Sequence, residues 1–247
     1  MDEPTRPSSV DCSDAAGVIA EVVGDAGVGP GPIGVTGPVA VGKSHLAAAL
    51  AERWGVAGVP AAVVCTDSWL LPEAELAAAG LTFRKGFPES YDVDAMRAAF
   101  EAAIADGVLR SPRYSHLRYD IEPGVTDEVE VGERWVVEGL HLTRFLGDLV
   151  PFIVHLDADD ELLEAWYVDR LRELAGRARA GEPSFYGFLA DSSPDAVDEF
   201  ARQCWYGINV PNKVDHIDPW RERADLVVRL GPDHAVTALL CENRQKP

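Results

Sequence analysis

The sequence predicts an α/β fold of three layers: a mostly parallel central sheet, helices on both faces, and a helical lid. Short apolar runs alternate with longer stretches of helical spacing along most of the 247 residues, the pattern of parallel strands joined by helical crossovers. No internal repeat and no long Ser/Gly linker divides the chain. A Gly-rich turn, Gly37 to Ser44, stands between an apolar run and a helical stretch. We therefore expect one domain over 31–247, preceded by a partly mobile segment over 1–30 that carries a short helix.

The elements follow in order. Residues 1–12 read as a mobile tail, and Ser13 or Asp14 is placed to cap a helix running through Val23. "GDAGVGPGP" ends that helix, because Gly and Pro punctuate regular structure. Ile33–Val35 is a buried strand entering the Gly-rich turn, and Ser44–Trp54 the helix that leaves it. "VPAAVVCTD" is a second strand, ending in Asp67. In "YDVDAMRAAFEAAIADG" Met96, Phe100 and Ile104 recur every four residues, which predicts a helix. "RWVVEGLHL" and "PFIVHLDAD" are further strands that run into acids. "DDELLEAWYVDRLRELAGRARAGEP" is a long charged helix and begins the lid, expected over about 160–195. "SPDAVDEFARQCWYGIN" is another helix, "ADLVVRL" a last strand, and "DHAVTALLCENR" reads as a closing helix.

Composition narrows the function classes. Forty-seven per cent hydrophobic and 26% charged residues are ordinary for a globular chain, but 41 acidic against 22 basic residues give −19. Such a surface repels polyanions, so nucleic acid and anionic membrane are poor partners. Cys12, Cys65, Cys204 and Cys241 lie far apart without a C-x-x-C pair, which fits a reducing compartment. No apolar run approaches the roughly 18 residues of a membrane span, and the acidic start lacks a signal-peptide pattern. A cytoplasmic protein is expected.

The turn Gly37-Pro-Val-Ala-Val-Gly-Lys43-Ser44 has the spacing G-x-x-x-x-G-K-S, that of the P-loop found in P-loop NTPase folds. Backbone N–H groups over Gly37, Val39, Ala40, Val41, Gly42, Lys43, Ser44 and His45 can converge on an anion, aided by the helix dipole. Lys43 would reach the β- and γ-phosphates of a nucleotide, and Ser44 would ligate Mg²⁺. Two decoys flank this reading. "GVGPGPIG" echoes a dinucleotide fingerprint, but Pro30 and Pro32 lack the N–H donors such a loop needs and the stretch precedes the strand. Asn212-Lys213-Val214-Asp215 spells the N-K-x-D with which GTPases read guanine, yet the D-x-x-G that should follow the P-loop occurs only before it, at Asp14–Gly17.

Ligands of such sheets sit beyond the carboxyl ends of the strands. Asp67 would face the γ-phosphate there, placed to take a proton from an attacking hydroxyl or to help hold metal. Glu138 ends another strand on the same rim and is a candidate for Mg²⁺ or acceptor. Asp157 and Asp159 end a third, where a plain helix cap is an equal reading.

The strings "VAVGKS", "TDSWLLP", "KGFPESYD", "YSHLRYD", "VVEGLH", "WYVDRL", "RERADL" and "DHAV" occur in this order over about residues 33–240. In them the chain resembles the bacterial type I pantothenate kinases, P-loop kinases related to uridine kinase and phosphoribulokinase. The resemblance implies transfer of the ATP γ-phosphoryl to the primary hydroxyl of pantothenate with Mg²⁺, the first step towards coenzyme A, by an enzyme that is typically a homodimer. It further implies Lys43, Asp67 and Arg170 as catalytic groups and Ser44 and Glu138 around the metal. Acceptor contacts would come from Asp67, Tyr114, His116, Tyr119, Glu138, Tyr167 and His216. His234 would lie beside the adenine. Arg172, Arg177 and Arg179, on the same helix as Arg170, read instead as a solvated face.

Departures from the family pattern gather at the acceptor. His216 stands where the family has an Asn, Leu171 and Leu174 where Phe is usual, and Ser68, Trp69 and Leu71 where it has Gly, Phe and Tyr. Ala48 replaces an Arg implicated in feedback by coenzyme A, so weak inhibition by coenzyme A is expected. Two alternatives stay open: a kinase of the same fold acting on another hydroxyl, such as a nucleoside or specialised metabolite, and a nucleotide-binding regulator without turnover.

Overall fold

In the computed structural model, which describes residues 15–59 and 61–241, the strands are β1 (Gly31–Thr36), β2 (Ala61–Cys65), β3 (Val108–Ser115), β4 (Asp120–Glu130), β5 (Arg134–Glu138), β6 (Phe152–Ala158), β7 (Leu226–Leu230) and β8 (Val236–Cys241). The helices are α1 (Ala15–Asp25), α2 (Lys43–Val56), α3 (Glu73–Ala78), α4 (Val93–Asp106), α5 (Leu142–Leu146), α6 (Asp160–Arg179) and α7 (Pro194–Cys204). Cys12 and the expected cap at Ser13 or Asp14 lie outside the described residues; the helix they would begin is present as α1.

Among the described residues the main sheet has the order β2-β5-β1-β6-β7-β8, parallel throughout except for β8. Because side chains alternate along a strand, successive residues feed two cores. Ile33, Val35, Val136, Val154 and Val228 pack with α1, α2 and the start of α6 on one face. Trp135, Val137, Ile153 and Val227 pack with α4 and α5 on the other. The expected three layers follow from that alternation. No helix among the described residues is long and apolar enough to cross a membrane.

One reading of the sequence is corrected, and one stretch it left open is filled. Of the stretch expected as a closing helix, Val236–Cys241 is the strand β8, which pairs antiparallel with β7, Val227 opposite Leu240 and Val228 opposite Leu239, and its last residues lie outside the described ones. Ala, Leu and Thr there satisfy a helical pattern locally, but the open edge of β7 offers a full ladder of hydrogen bonds, and tertiary pairing overrides propensity. Residues 108–130, unassigned from sequence, form a separate antiparallel hairpin of β3 and β4 with a register shift between Pro112 and Tyr114. After α7 the chain continues through two π-helical turns, Trp205–Asn209 and Lys213–Ile217.

Candidate active site

The Gly-rich turn leaves β1 and closes on α2. Gly37 has φ 139°, and a Cβ there would lie 2.4 Å from the Leu156 carbonyl oxygen, so only glycine fits. Gly42, at φ 96°, caps α2 without any side-chain hydrogen bond, which leaves the first N–H groups of a 14-residue helix free to point at an anion. Val41 is fully buried and anchors the turn in the core. Lys43 Nζ donates to the Pro38 carbonyl at 2.8 Å. Burial lowers the Lys43 pKa, while the charges of Glu138 and Asp67 oppose that shift. Ser44 Oγ donates to Glu138 Oε1 at 2.9 Å. His45 is exposed on the first turn of α2.

Strand register aligns the acids with this turn. Cys65 of β2 pairs with Glu138 of β5, which pairs with Val35 of β1. The residues just beyond these ends, Asp67 and Gly37, therefore share one rim with Glu138. Asp67 sits half-buried in a 3₁₀ turn, Thr66–Trp69, and accepts a long hydrogen bond from the Tyr91 hydroxyl at 3.4 Å. Burial and then the Glu138 charge raise the Asp67 pKa, against Lys43 and His116. Gly139 follows Glu138 tightly: a Cβ there would fall 1.8 Å from Thr66 Oγ1. Asp157 and Asp159 serve differently. Arg221 and Arg229 hold Asp157 at 3.1 and 3.0 Å, and Arg229 also pairs with Asp159.

Aromatic residues line the other side. Tyr114 meets His116 edge to face at 5.1 Å and Tyr119 at 6.4 Å. Tyr119 has φ 57° and stacks on Phe185 at 4.7 Å, beside Tyr186. Burial raises the pKa of the Tyr114 and Tyr119 hydroxyls, so both stay protonated donors. Tyr167 packs against Trp205 at 5.7 Å. Arg170 is exposed, forms no ion pair among the described residues, and its charge reaches Lys43, Tyr119 and Tyr186. Its neighbours are occupied: Arg172 binds Asp169 and Asp198, Arg177 binds Glu182, and Arg179 donates to the carbonyls of Ala190 and Ser192.

His234 stacks face to face on Trp166, 3.8 Å between centroids and 19° between planes, with its Cδ2 3.3 Å from where a Gly42 Cβ would stand. It thus borders the Gly-rich turn. His216 is half-buried, edge-on to Phe87 at 5.7 Å and 6.5 Å from His141. The guanine-reading decoy is engaged elsewhere: Asn212 is buried and donates to the Gly86 carbonyl, and Lys213 bridges Asp160 and Asp218.

Two residues at this site were not singled out from sequence. Tyr91, the hydrogen-bond donor to Asp67, and Lys85, whose ammonium lies over the Tyr119 ring at 4.3 Å, both fall within "KGFPESYD". The string itself was the signal; which of its members face the site needed the fold. Among the described residues no cluster of three or more His, Cys, Asp or Glu could cage a metal. The oxygen pair Ser44 and Glu138 still suits a hard cation such as Mg²⁺, which takes few protein ligands and completes its shell with water and phosphate.

No family model matches the chain. Comparison with curated proteins finds 42% identity over 220 residues with the pantothenate kinase of Corynebacterium glutamicum strain R, covering 84% of this chain and 67% of that one. The pantothenate kinase of Streptomyces avermitilis is 42% identical over 227 residues, covering 85% of this chain and 68% of that one. Among solved structures, a D-glycerate 3-kinase from Cryptococcus neoformans superposes with TM-score 0.64 at 15% identity, over 95% of this chain and all of that one. A protein described as a possible uridine kinase, from Bacillus stearothermophilus, gives 0.52 at 18% identity over 62% of this chain and 85% of that one. The two structural likenesses concern the fold alone.

Proposed function

We infer the reaction from one premise: the chain belongs to the pantothenate kinase family and is an ATP-dependent phosphotransferase with an alcohol acceptor. The acceptor we propose is the primary hydroxyl of pantothenate, phosphorylated with MgATP on the way to coenzyme A. One observation carries the reading: Ser44, at the end of the Gly-rich turn, donates to Glu138 Oε1 at 2.9 Å, and Glu138 shares its strand-end rim with the Asp67 turn. A phosphate cradle and a candidate base thereby face the same small volume. The same reading takes the enzyme to act in the cytoplasm as a homodimer.

In this mechanism the backbone N–H groups over Gly37–His45 hold the phosphates, and Lys43 leaves the Pro38 carbonyl for the β- and γ-oxygens. Asp67 accepts the proton of the acceptor hydroxyl as its oxygen attacks the γ-phosphorus in line and the bond to the β–γ bridging oxygen breaks. A raised pKa suits that role, since a base nearer neutrality takes a proton more readily. Arg170, which forms no ion pair among the described residues, moves with the lid to meet charge on the transferring group; phosphoryl transfer is chiefly positioning and electrostatics. Closure of the lid over 160–195 keeps water from competing as acceptor. Ser44 and Glu138 would hold Mg²⁺, which when bound neutralises phosphate charge. Tyr114, His116, Tyr119, Tyr167 and His216 would contact the acceptor, and His234 the adenine side.

The test is ADP release from MgATP with pantothenate, pantetheine or nucleosides as acceptor, read against the acceptor-free rate. Turnover with pantothenate at least about tenfold above that background is expected, because a positioned hydroxyl outcompetes water for the phosphoryl group. Turnover on nucleosides alone would reassign the acceptor. ATP binding with no turnover on any of them would overturn the enzymatic reading.

A further inference from the structure

Lys85 is the least explained charge in the site. Its side chain is 6% exposed, close to full burial, yet the site chemistry does not call for it. A buried ammonium persists only where it is paired and hydrogen-bonded, and Lys85 is both. Nζ donates to Glu73 Oε1 at 2.7 Å and to the Tyr119 carbonyl, and it lies 4.3 Å from the Tyr119 ring centre and 5.6 Å from that of Tyr114. Tyr119 is a non-glycine residue at φ 57°, a conformation that costs energy and persists only where its surroundings impose it.

The contacts continue on both sides. The Glu73 N–H donates to Asp120 Oδ1 at 3.0 Å, so α3 grips the hairpin tip beside Tyr119. The Phe185 N–H donates to the Leu117 carbonyl at 2.8 Å, and Phe185 stacks on Tyr119, so the lid segment rests on the same tip. Behind Lys85, the Gly86 carbonyl lies 2.8 Å from both His141 Nε2 and Asn212 Nδ2. The loop carrying Lys85 is therefore fixed from the β5 side and from the π-helical segment.

We propose that Lys85 is a positioning residue for acceptor binding: it holds Tyr119 in its left-handed conformation, and thereby sets the Tyr114–His116–Tyr119 rim and seats the lid segment at Phe185. This rests on the assignment of that rim to the acceptor. Nucleotide binding, at the other end of the site, does not pass through Lys85.

The experiment uses Lys85→Met and Lys85→Arg in the full-length enzyme. For Lys85→Met, kcat/KM for pantothenate falls about tenfold or more while KM for MgATP stays within about twofold, and Lys85→Arg recovers most of the loss. Amide hydrogen exchange without any acceptor supplies the second reading. The Phe185 amide of Lys85→Met exchanges about tenfold faster, while that of Val154 in β6 is unchanged, which shows the core intact. Parallel loss in both KM values, or an unaltered Phe185 amide, would overturn the proposal. If wild-type enzyme does not turn over pantothenate, the acceptor assignment fails separately, and the exchange result alone decides whether Lys85 fixes the rim.

Discussion

Asp67 and Glu138 compete for charge in a confined space, and that competition has a measurable consequence. The Glu138 charge is the second cause, after burial, that raises the Asp67 pKa. Replacing Glu138 by Gln keeps the shape and removes the charge, so Asp67 should then lose its proton at lower pH. If Asp67 is the base, activity is present above its pKa and lost as pH falls through it. The acid limb of the kcat/KM profile should therefore move to lower pH in Glu138→Gln, whatever the residual rate. An acid limb that stays in place would separate Asp67 from the pH dependence. Much of this site was legible in the sequence because strand ends are predictable: Lys43, Ser44, Asp67 and Glu138 each close or follow an apolar run. Tyr91 and Lys85 were not, because their loop has no periodicity and its direction is set by the carbonyl of Gly86.

At the level of elements, β6 carries a conditional weakness. His155 lies within it, paired in register with Thr36 of β1, and is 1% exposed with Nδ1 unpartnered among the described residues. Burial holds its pKa down to about 4. The folded chain keeps this imidazole neutral, while the unfolded chain protonates it below pH 6.5, so stability is full above that value and falls as pH drops towards 4. The loss is on the order of 3 kcal/mol at its limit. The urea midpoint of wild type should therefore fall more steeply between about pH 6.5 and 4.5 than that of His155→Leu. Equal slopes would show that His155 does not carry this loss. Apolar runs gave the parallel strands their places in the sequence, since a strand buried on both faces is apolar at nearly every position. The hairpin escaped notice because one face of β4 is open to solvent and its residues are polar, with Arg110–Glu128 and Arg113–Asp127 ion pairs across the ladder. The edge strand β8 escaped because a short run of Ala, Thr and Leu fits helix and strand alike, and only the vacant side of β7 decides. The π-helical turns were equally hidden, since their side-chain spacing is within a residue of the α-helical one.

Across the whole molecule, the site is assembled from distant parts of the chain. The Gly-rich turn and the Asp67 turn come from the N-terminal third, the hairpin and Glu138 from the middle, and α6 and the π-helical segment from later. The parallel sheet makes this possible by delivering strand ends to one side, and the net charge of −19 makes the local basic groups Lys43 and Arg170 stand out to an anionic nucleotide. Phosphate binding and acceptor activation should therefore separate when one residue is changed. The most direct measurement is Asp67→Asn in the intact enzyme, comparing MgATP affinity by calorimetry with turnover on pantothenate. We predict a dissociation constant for MgATP within about threefold of wild type and turnover lower by about 10²–10⁴, the range general base catalysis supplies. Turnover within about threefold of wild type, or loss of MgATP binding in step with turnover, would contradict the claim that this carboxylate readies the hydroxyl.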